Sequence, residues 1–234
     1  MQTSGLRSAF VILALAAGLQ PAAAEGTPAR LEKAVAVLNK LTDSSGDGIR
    51  PEEIASADCV AVIPGFYKGA AVVGVVFEAD LLLEVSFGRG FIACRNGDNW
   101  SAPAAITMEA GSLGLQIGEN IDIVILSLEN QNRSKLLSGQ FTIGLDASAA
   151  WGNGKSSHGD PNATILFFGH TKGSFAVFDF NGAMLKPDET GNKAPYGKPI
   201  KNGEIVEGGA ATPTVAQRFV SKLTSLLHPE SSTP

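Results

Sequence analysis

Cysteine is scarce, charge is thin, and cations are the minority charge. Of 234 residues only 2 are Cys, which excludes a disulfide-dense scaffold and a four-thiolate zinc site. Charged residues make up 18% against 44% hydrophobic, whereas a disordered chain is richer in charge and poorer in apolar residues. Lys and Arg number 18 against 23 Asp and Glu, a formal charge of −5. The basic footprint of a nucleic-acid-binding domain is therefore absent at whole-chain level. An anionic partner must be met by a local patch. The length suits one domain or two small ones, with enough residues for a real core.

What is present begins with a leader. Arg7 forms a short positive region, residues 9–19 are an apolar run, and Pro21 precedes Ala22-Ala23-Ala24. This is the pattern of a cleaved secretory signal, and the run is too short for a membrane span, which needs roughly 20 residues. The expectation is a secreted or periplasmic protein of alanine-rich bacterial type, cut near Ala24. Residues 1–24 are then the leader, 25–228 one domain and 229–234 a disordered tail.

Residues 27–41 read as a helix. Leu31, Ala34, Val35, Leu38 and Leu41 share one face by their spacing, and Arg30, Lys33 and Lys40 fall opposite, with Val37 out of place among them. From 58 onward, Val- and Ile-rich runs of strand length alternate with Gly, Asn and Asp: 59–63, 70–77, 81–87, 90–94, 104–108, 112–117 and 121–126. The intervening segments are too short for parallel crossovers. A short helix over 129–137 ends at Gly139, and strands resume at 140–145, 163–168 and 174–180. Residues 186–201 read as a long surface loop. A last helix starts at Thr212-Pro213 and carries Val215, Phe219, Val220, Leu223, Leu226 and Leu227 on one face. The fold class is α+β: a curved antiparallel sheet, barrel-like or sandwich-like, of seven or more strands, flanked by N- and C-terminal helices.

Several motifs fail on their own chemistry. Asp43 to Gly48 resembles half a calcium loop, but its twelfth position is Ile54 and Pro51 blocks the run into a second helix. Gly154-Lys155-Ser156 ends like a phosphate loop, but the leading glycine is Ala149 and no helix can follow. Gly111-Ser112-Leu113-Gly114, with His170 and Asp146 as partners on paper, lacks the strand-to-helix turn of a hydrolase elbow. His158, His170 and His228 have no metal-ligand spacing. The sequons at Asn99, Asn132 and Asn162 are short enough to arise by chance. No catalytic residue, metal or cofactor is expected. Cys59 and Cys94 both sit in strand segments of an exported chain, so a disulfide is predicted, two buried thiols being the alternative.

One ordered series of residues carries a resemblance. Ala57-Asp58-Cys59-Val60-Ala61-Val62-Ile63-Pro64 and Lys68-Gly69-Ala70 are followed by Gly88-Arg89-Gly90 and Trp100-Ser101-Ala102-Pro103-Ala104. Then come Gly111 to Gly118, Leu136 to Ser148, Lys172-Gly173, Asn181-Gly182-Ala183 and Tyr196-Gly197. Together they resemble the SYLF domain over residues 28–225. Two places depart from it: 77–87 looks like an extra hairpin, and Val177-Phe178-Asp179-Phe180 replaces a run of smaller residues.

The resemblance implies binding of phosphoinositide or other anionic phospholipid, often through a basic amphipathic N-terminal helix, and no catalysis. Fungal members bind actin, which is not expected of an exported chain. Here Arg30, Lys33 and Lys40 are the expected headgroup contacts, with Leu31, Val35, Leu38 and Leu41 inserting. Lys68 and the 186–201 segment are secondary candidates. The competing reading packs the same stripe on the sheet, and leaves a cell-envelope structural or protein-interaction module with no lipid ligand.

Overall fold

The computed structural model describes residues 26–43, 48–76, 79–111, 120–152, 158–159, 162–171, 174–175 and 180–227. The expected leader and tail, the centre of the calcium-like loop, most of the phosphate-loop-like segment, the strand expected over 112–117 with Ser112, and His228 lie outside these residues. So does most of the 177–180 departure.

Two helices open the described part of the chain, α1 (Thr27–Thr42) and α2 (Pro51–Ser56). Each has proline in its first turn, where no intrahelical N–H is lost. The long strands β1 (Cys59–Val76) and β2 (Ala79–Asn96) follow as an antiparallel hairpin. Next come β3 (Asn99–Trp100), β4 (Ala104–Ala110), β5 (Asn120–Ser127), a 3-10 turn and α3 (Arg133–Ser138). The short strands β6 (Phe141–Thr142), β7 (Ala149–Trp151) and β8 (His158–Gly159) lead to β9 (Ile165–Thr171) and β10 (Ser174–Phe175). The chain closes with β11 (Met184–Pro187), α4 (Glu189–Tyr196), α5 (Asn202–Val206), a 3-10 turn and α6 (Gln217–Leu227).

Among the described residues the strands form one curled sheet of order β6-β11-β4-β2-β1-β5-β9-β7-β8, with β10 on β9 and β3 on β2. Every described strand pairing is antiparallel except β7 with β9, so the expected sheet is present with one parallel pair added.

Strands β1, β2, β4, β5 and β9 feed two cores by alternation. Cys59, Ala61 and Ile63 of β1 join Ile92, Met108, Ile123, Phe141, Leu185 and Ile205 on one face. Val60 and Val62 join Phe91, Val124, Leu126 and Phe168 on the other, under Leu31, Leu38, Ile54, Phe219 and Leu223 of α1, α2 and α6. Phe91 and Phe219 meet with ring centroids 6.4 Å apart. Both N- and C-terminal helices therefore cover the same face of the sheet.

Three expectations need correction. The separate strands 59–63 and 70–77 are one strand as far as Val76, as are 81–87 and 90–94, so residues 79–87 belong to a single long hairpin rather than to an extra one. The last helix begins after a 3-10 turn at Thr214–Ala216, with Pro213 preceding that turn. The segment 186–201 is not a loop. It starts in β11, paired with β4, and continues as α4.

Buried amides hold that segment down. Asn192 accepts from the Ala105 N–H at 2.7 Å and donates to the Ile200 carbonyl and to Asn202 Oδ1. Asn202 in turn donates to the Ala105 carbonyl at 2.9 Å. Asp188 caps α4 by accepting from the Gly191 N–H. The Tyr196 hydroxyl donates to the Pro103 carbonyl, and its burial pushes the phenol well above its ordinary range.

Candidate functional site

The site begins with an irregularity in β1. In the pairing with β5, Ile63 opposes Ile123 and Phe66 opposes Ile121, so Pro64 and Gly65 together face Asp122 alone. That is a β-bulge, which bends the strand and inverts its alternation from that point on. Gly65 supplies a φ of +62°, and its N–H donates to Asp122 Oδ1 at 3.0 Å. The same shift occurs against β2 between Val62 and Tyr67.

β2 accommodates the bulge through Gly88 and Gly90. A Cβ on Gly90 would lie 2.0 Å from the Val62 carbonyl oxygen, and one on Gly88 would lie 2.5 Å from the Ile63 side chain. Only hydrogen fits where the two backbones approach this closely.

After the bulge Phe66 points into the inner core, and Tyr67 therefore comes out on the face that carries α1. Tyr67 sits opposite Phe87 in register. They are 46% and 41% exposed. Arg89, two residues beyond Phe87 and so on the same face, holds its guanidinium carbon 5.7 Å from the Phe87 ring centroid.

Two adjoining concavities share Pro64, Gly65 and Tyr67. One, of about 590 Å³, is lined by Lys33, Val37 and Lys40 of α1 with Asn120 and Asp122 of β5. The other, of about 450 Å³, is lined by Arg30, Phe87, Gly88 and Arg89. Together they make one groove with cations on both flanks and aromatic rings between. Lys40 lies 3.9 Å from Asp122, and Arg89 lies 3.8 Å from the buried Asp188. Lys33 and Lys40 are exposed, while Arg30 is buried.

Three of the four expected cations thus border one groove. Lys68 does not join them: it is buried, next to exposed Tyr67 in β1 and therefore on the opposite sheet face. The expected insertion of Leu31, Val35, Leu38 and Leu41 into a bilayer is overturned. All four are buried, packed in the core between α1, the sheet and α6. Of the other lysines offered as secondary contacts, Lys186 pairs with Glu109 at 2.5 Å. Tyr67, Phe87 and Arg89 were missed. Phe87 and Arg89 share a strand face by simple alternation, but Tyr67 reaches that face only through the bulge.

Cys59 and Cys94 are directly opposite in register, with Cα atoms 4.0 Å apart, and form a disulfide. Among the described residues no group of three His, Cys, Asp or Glu side chains can hold a metal ion. No described helix is long and apolar enough to cross a membrane.

The class of fold is a curled α+β sheet with its terminal helices on one face and a groove bordered by Arg and Lys. The comparisons make the class specific. A family model described as Ysc84, Las17-binding protein actin regulator, matches residues 109–226, half of the chain, and the chain belongs to this Ysc84/SYLF family.

The SH3 domain-containing YSC84-like protein 1 of Xenopus laevis is 29% identical over 203 residues, covering 82% of this chain and 58% of that protein. LAS seventeen-binding protein 3 of Saccharomyces cerevisiae is 27% identical over 179 residues, 70% of this chain and 38% of its own length. An SH3 domain-containing protein of Schizosaccharomyces pombe is 27% identical over 164 residues, 66% of this chain and 38% of its own. The chain thus matches little more than half the length of the curated relatives, and less for the fungal ones. No solved structure matches it significantly.

Proposed function

We propose that the chain is a non-enzymatic module that binds anionic phospholipid surfaces, and that it does so outside the cytoplasm after loss of residues 1–24. The carrying observation is the groove: exposed Lys33 and Lys40 on one flank and exposed Arg89 on the other, beside the buried Arg30, in a chain of net charge −5. Clustering cations on one surface of an acidic protein gives it a direction in which to meet an anionic membrane. The SYLF resemblance supports the same ligand class, and the family description names binding and regulation rather than a reaction. Lys68 has no part in this reading. Nor has actin, which the family description mentions, because the leader pattern of residues 1–24 routes the chain away from it.

The mode of binding differs from an inserting helix, because the apolar stripe of α1 is already used in the core. The bilayer is met by the polar edge of α1. Each cation near an anionic surface contributes about 1 kcal/mol, so Lys33→Ala with Lys40→Ala should weaken vesicle binding roughly thirtyfold at low salt. Co-sedimentation with phosphatidylserine-containing vesicles across a salt series measures this. Wild-type protein that ignores anionic and zwitterionic vesicles alike would remove the lipid reading, leaving a protein-interaction module in its place.

A further inference from the structure

We propose that Tyr67 and Phe87 form an aromatic anchor that enters the headgroup region of an anionic bilayer, with the flanking cations holding it there. This rests on the lipid reading above and adds to it the part of the surface that leaves water.

Among the described residues, burial singles the pair out. Phe66, Phe91, Phe141, Phe167, Phe168, Phe180, Phe219, Trp100 and Trp151 are all buried. Tyr67 and Phe87 are the aromatic members of the exposed large hydrophobics, and they face each other across the β1–β2 pairing. Cross-strand aromatics at this spacing form one continuous apolar patch. The sheet holds that patch out by construction: the Pro64-Gly65 bulge turns Tyr67 outward, and Gly88 and Gly90 let β2 follow.

Charge selects the occupant. Arg30 and Arg89 lie on one side of Tyr67, and Lys33 and Lys40 on the other. Among the described residues of the groove, exposed Lys33, Lys40 and Arg89 and the buried Arg30 stand beside the carboxylates of Asp122 and Asp188, the second of them buried, while nearby Glu109 is paired with Lys186. Arg89 stacked near Phe87 joins a cation to an aromatic ring in one unit. Aromatic rings with Arg and Lys beside them suit the membrane–water boundary, where the ring sits among headgroups and the cation meets phosphate. The remainder of the hairpin is outside the proposal, since residues 79–85 carry Asp80 and Glu84.

The pair should supply the part of binding that salt does not screen. Tyr67→Ser with Phe87→Ser should weaken binding to phosphatidylcholine vesicles containing phosphatidylserine about tenfold, at low and high salt alike. The Lys33→Ala, Lys40→Ala variant should lose its affinity mainly at low salt. In a second measurement, Phe87→Trp should show fluorescence quenched by brominated acyl chains on adding anionic vesicles, against a background from the buried Trp100 and Trp151 in wild type. Quenching is expected even if the double serine variant fails to fold. If Phe87→Trp protein sediments with vesicles yet is not quenched, the anchor is wrong while the lipid reading stands. If wild type does not sediment, both fall.

Discussion

Gly90 shows how much of this surface hangs on one hydrogen atom. Its missing Cβ is the space into which the Val62 carbonyl of the bulged strand fits. Gly90→Ala forces two backbones apart in the middle of a sheet, and overpacking of this kind costs about 3 kcal/mol. Gly111, where a Cβ would meet nothing within 4 Å, is the control. Urea denaturation should place Gly90→Ala far below wild type and Gly111→Ala close to it. Equal midpoints would mean that the close approach is not what Gly90 provides.

The same bulge explains what residue-level reading of the sequence missed. From the alternation of 59–63, an unbroken strand would put Lys68 on the same face as Val60 and Val62, beside α1. One extra residue reverses that parity, burying Lys68 and exposing Tyr67. Pro64-Gly65 is visible in the sequence, but whether two residues oppose one is decided by the partner strand. Cys59 and Cys94 lie where the register is unbroken, and their pairing was legible.

At the scale of elements, the helices at both ends were readable because their apolar spacing spans three turns or more. What the stripe of α1 packs against was not, since a sheet and a bilayer ask for the same spacing. Val37, out of place on a helical wheel, is buried where α1 faces Pro64 and Tyr67 of β1 and Asp122 of β5.

The segment 186–201 failed for a different reason. Its order comes from Asn192 and Asn202, whose amides bond to the backbone of β4 about ninety residues earlier, and polar residues give no periodic signal. Asn192→Ala takes their Asn192 partner from the buried Ala105 N–H, the Ile200 carbonyl and Asn202 Oδ1. Buried groups left this way cost about 1–3 kcal/mol each, so the variant should lose about 3 kcal/mol of stability. Amide exchange should then rise first in 189–202. Unchanged protection there would show that α4 is held by something other than the asparagine pair.

For the whole molecule, class and composition agreed early: dense glycine, short Val-rich runs and two terminal helices left little besides a curled α+β sheet. The curl depends on the β1–β2 hairpin, since β4 and β5 pair with its two outer edges. The disulfide ties that hairpin at the end away from the groove. Cys59 and Cys94 are 35 residues apart in sequence and both buried. Closing such a loop stabilises by about 4 kcal/mol in the chain-entropy model, a large share of the roughly 5–15 kcal/mol available to a domain. Cys59→Ala with Cys94→Ala should therefore lower the thermal midpoint by many degrees. The bulge, the glycines of β2 and the cations of α1 owe nothing to the sulfur bridge, so any fraction that remains folded should bind anionic vesicles as wild type does. Scanning calorimetry and vesicle sedimentation on the same preparation separate the two effects. A folded variant that has lost vesicle binding would mean that the far end of the hairpin sets the shape of the groove.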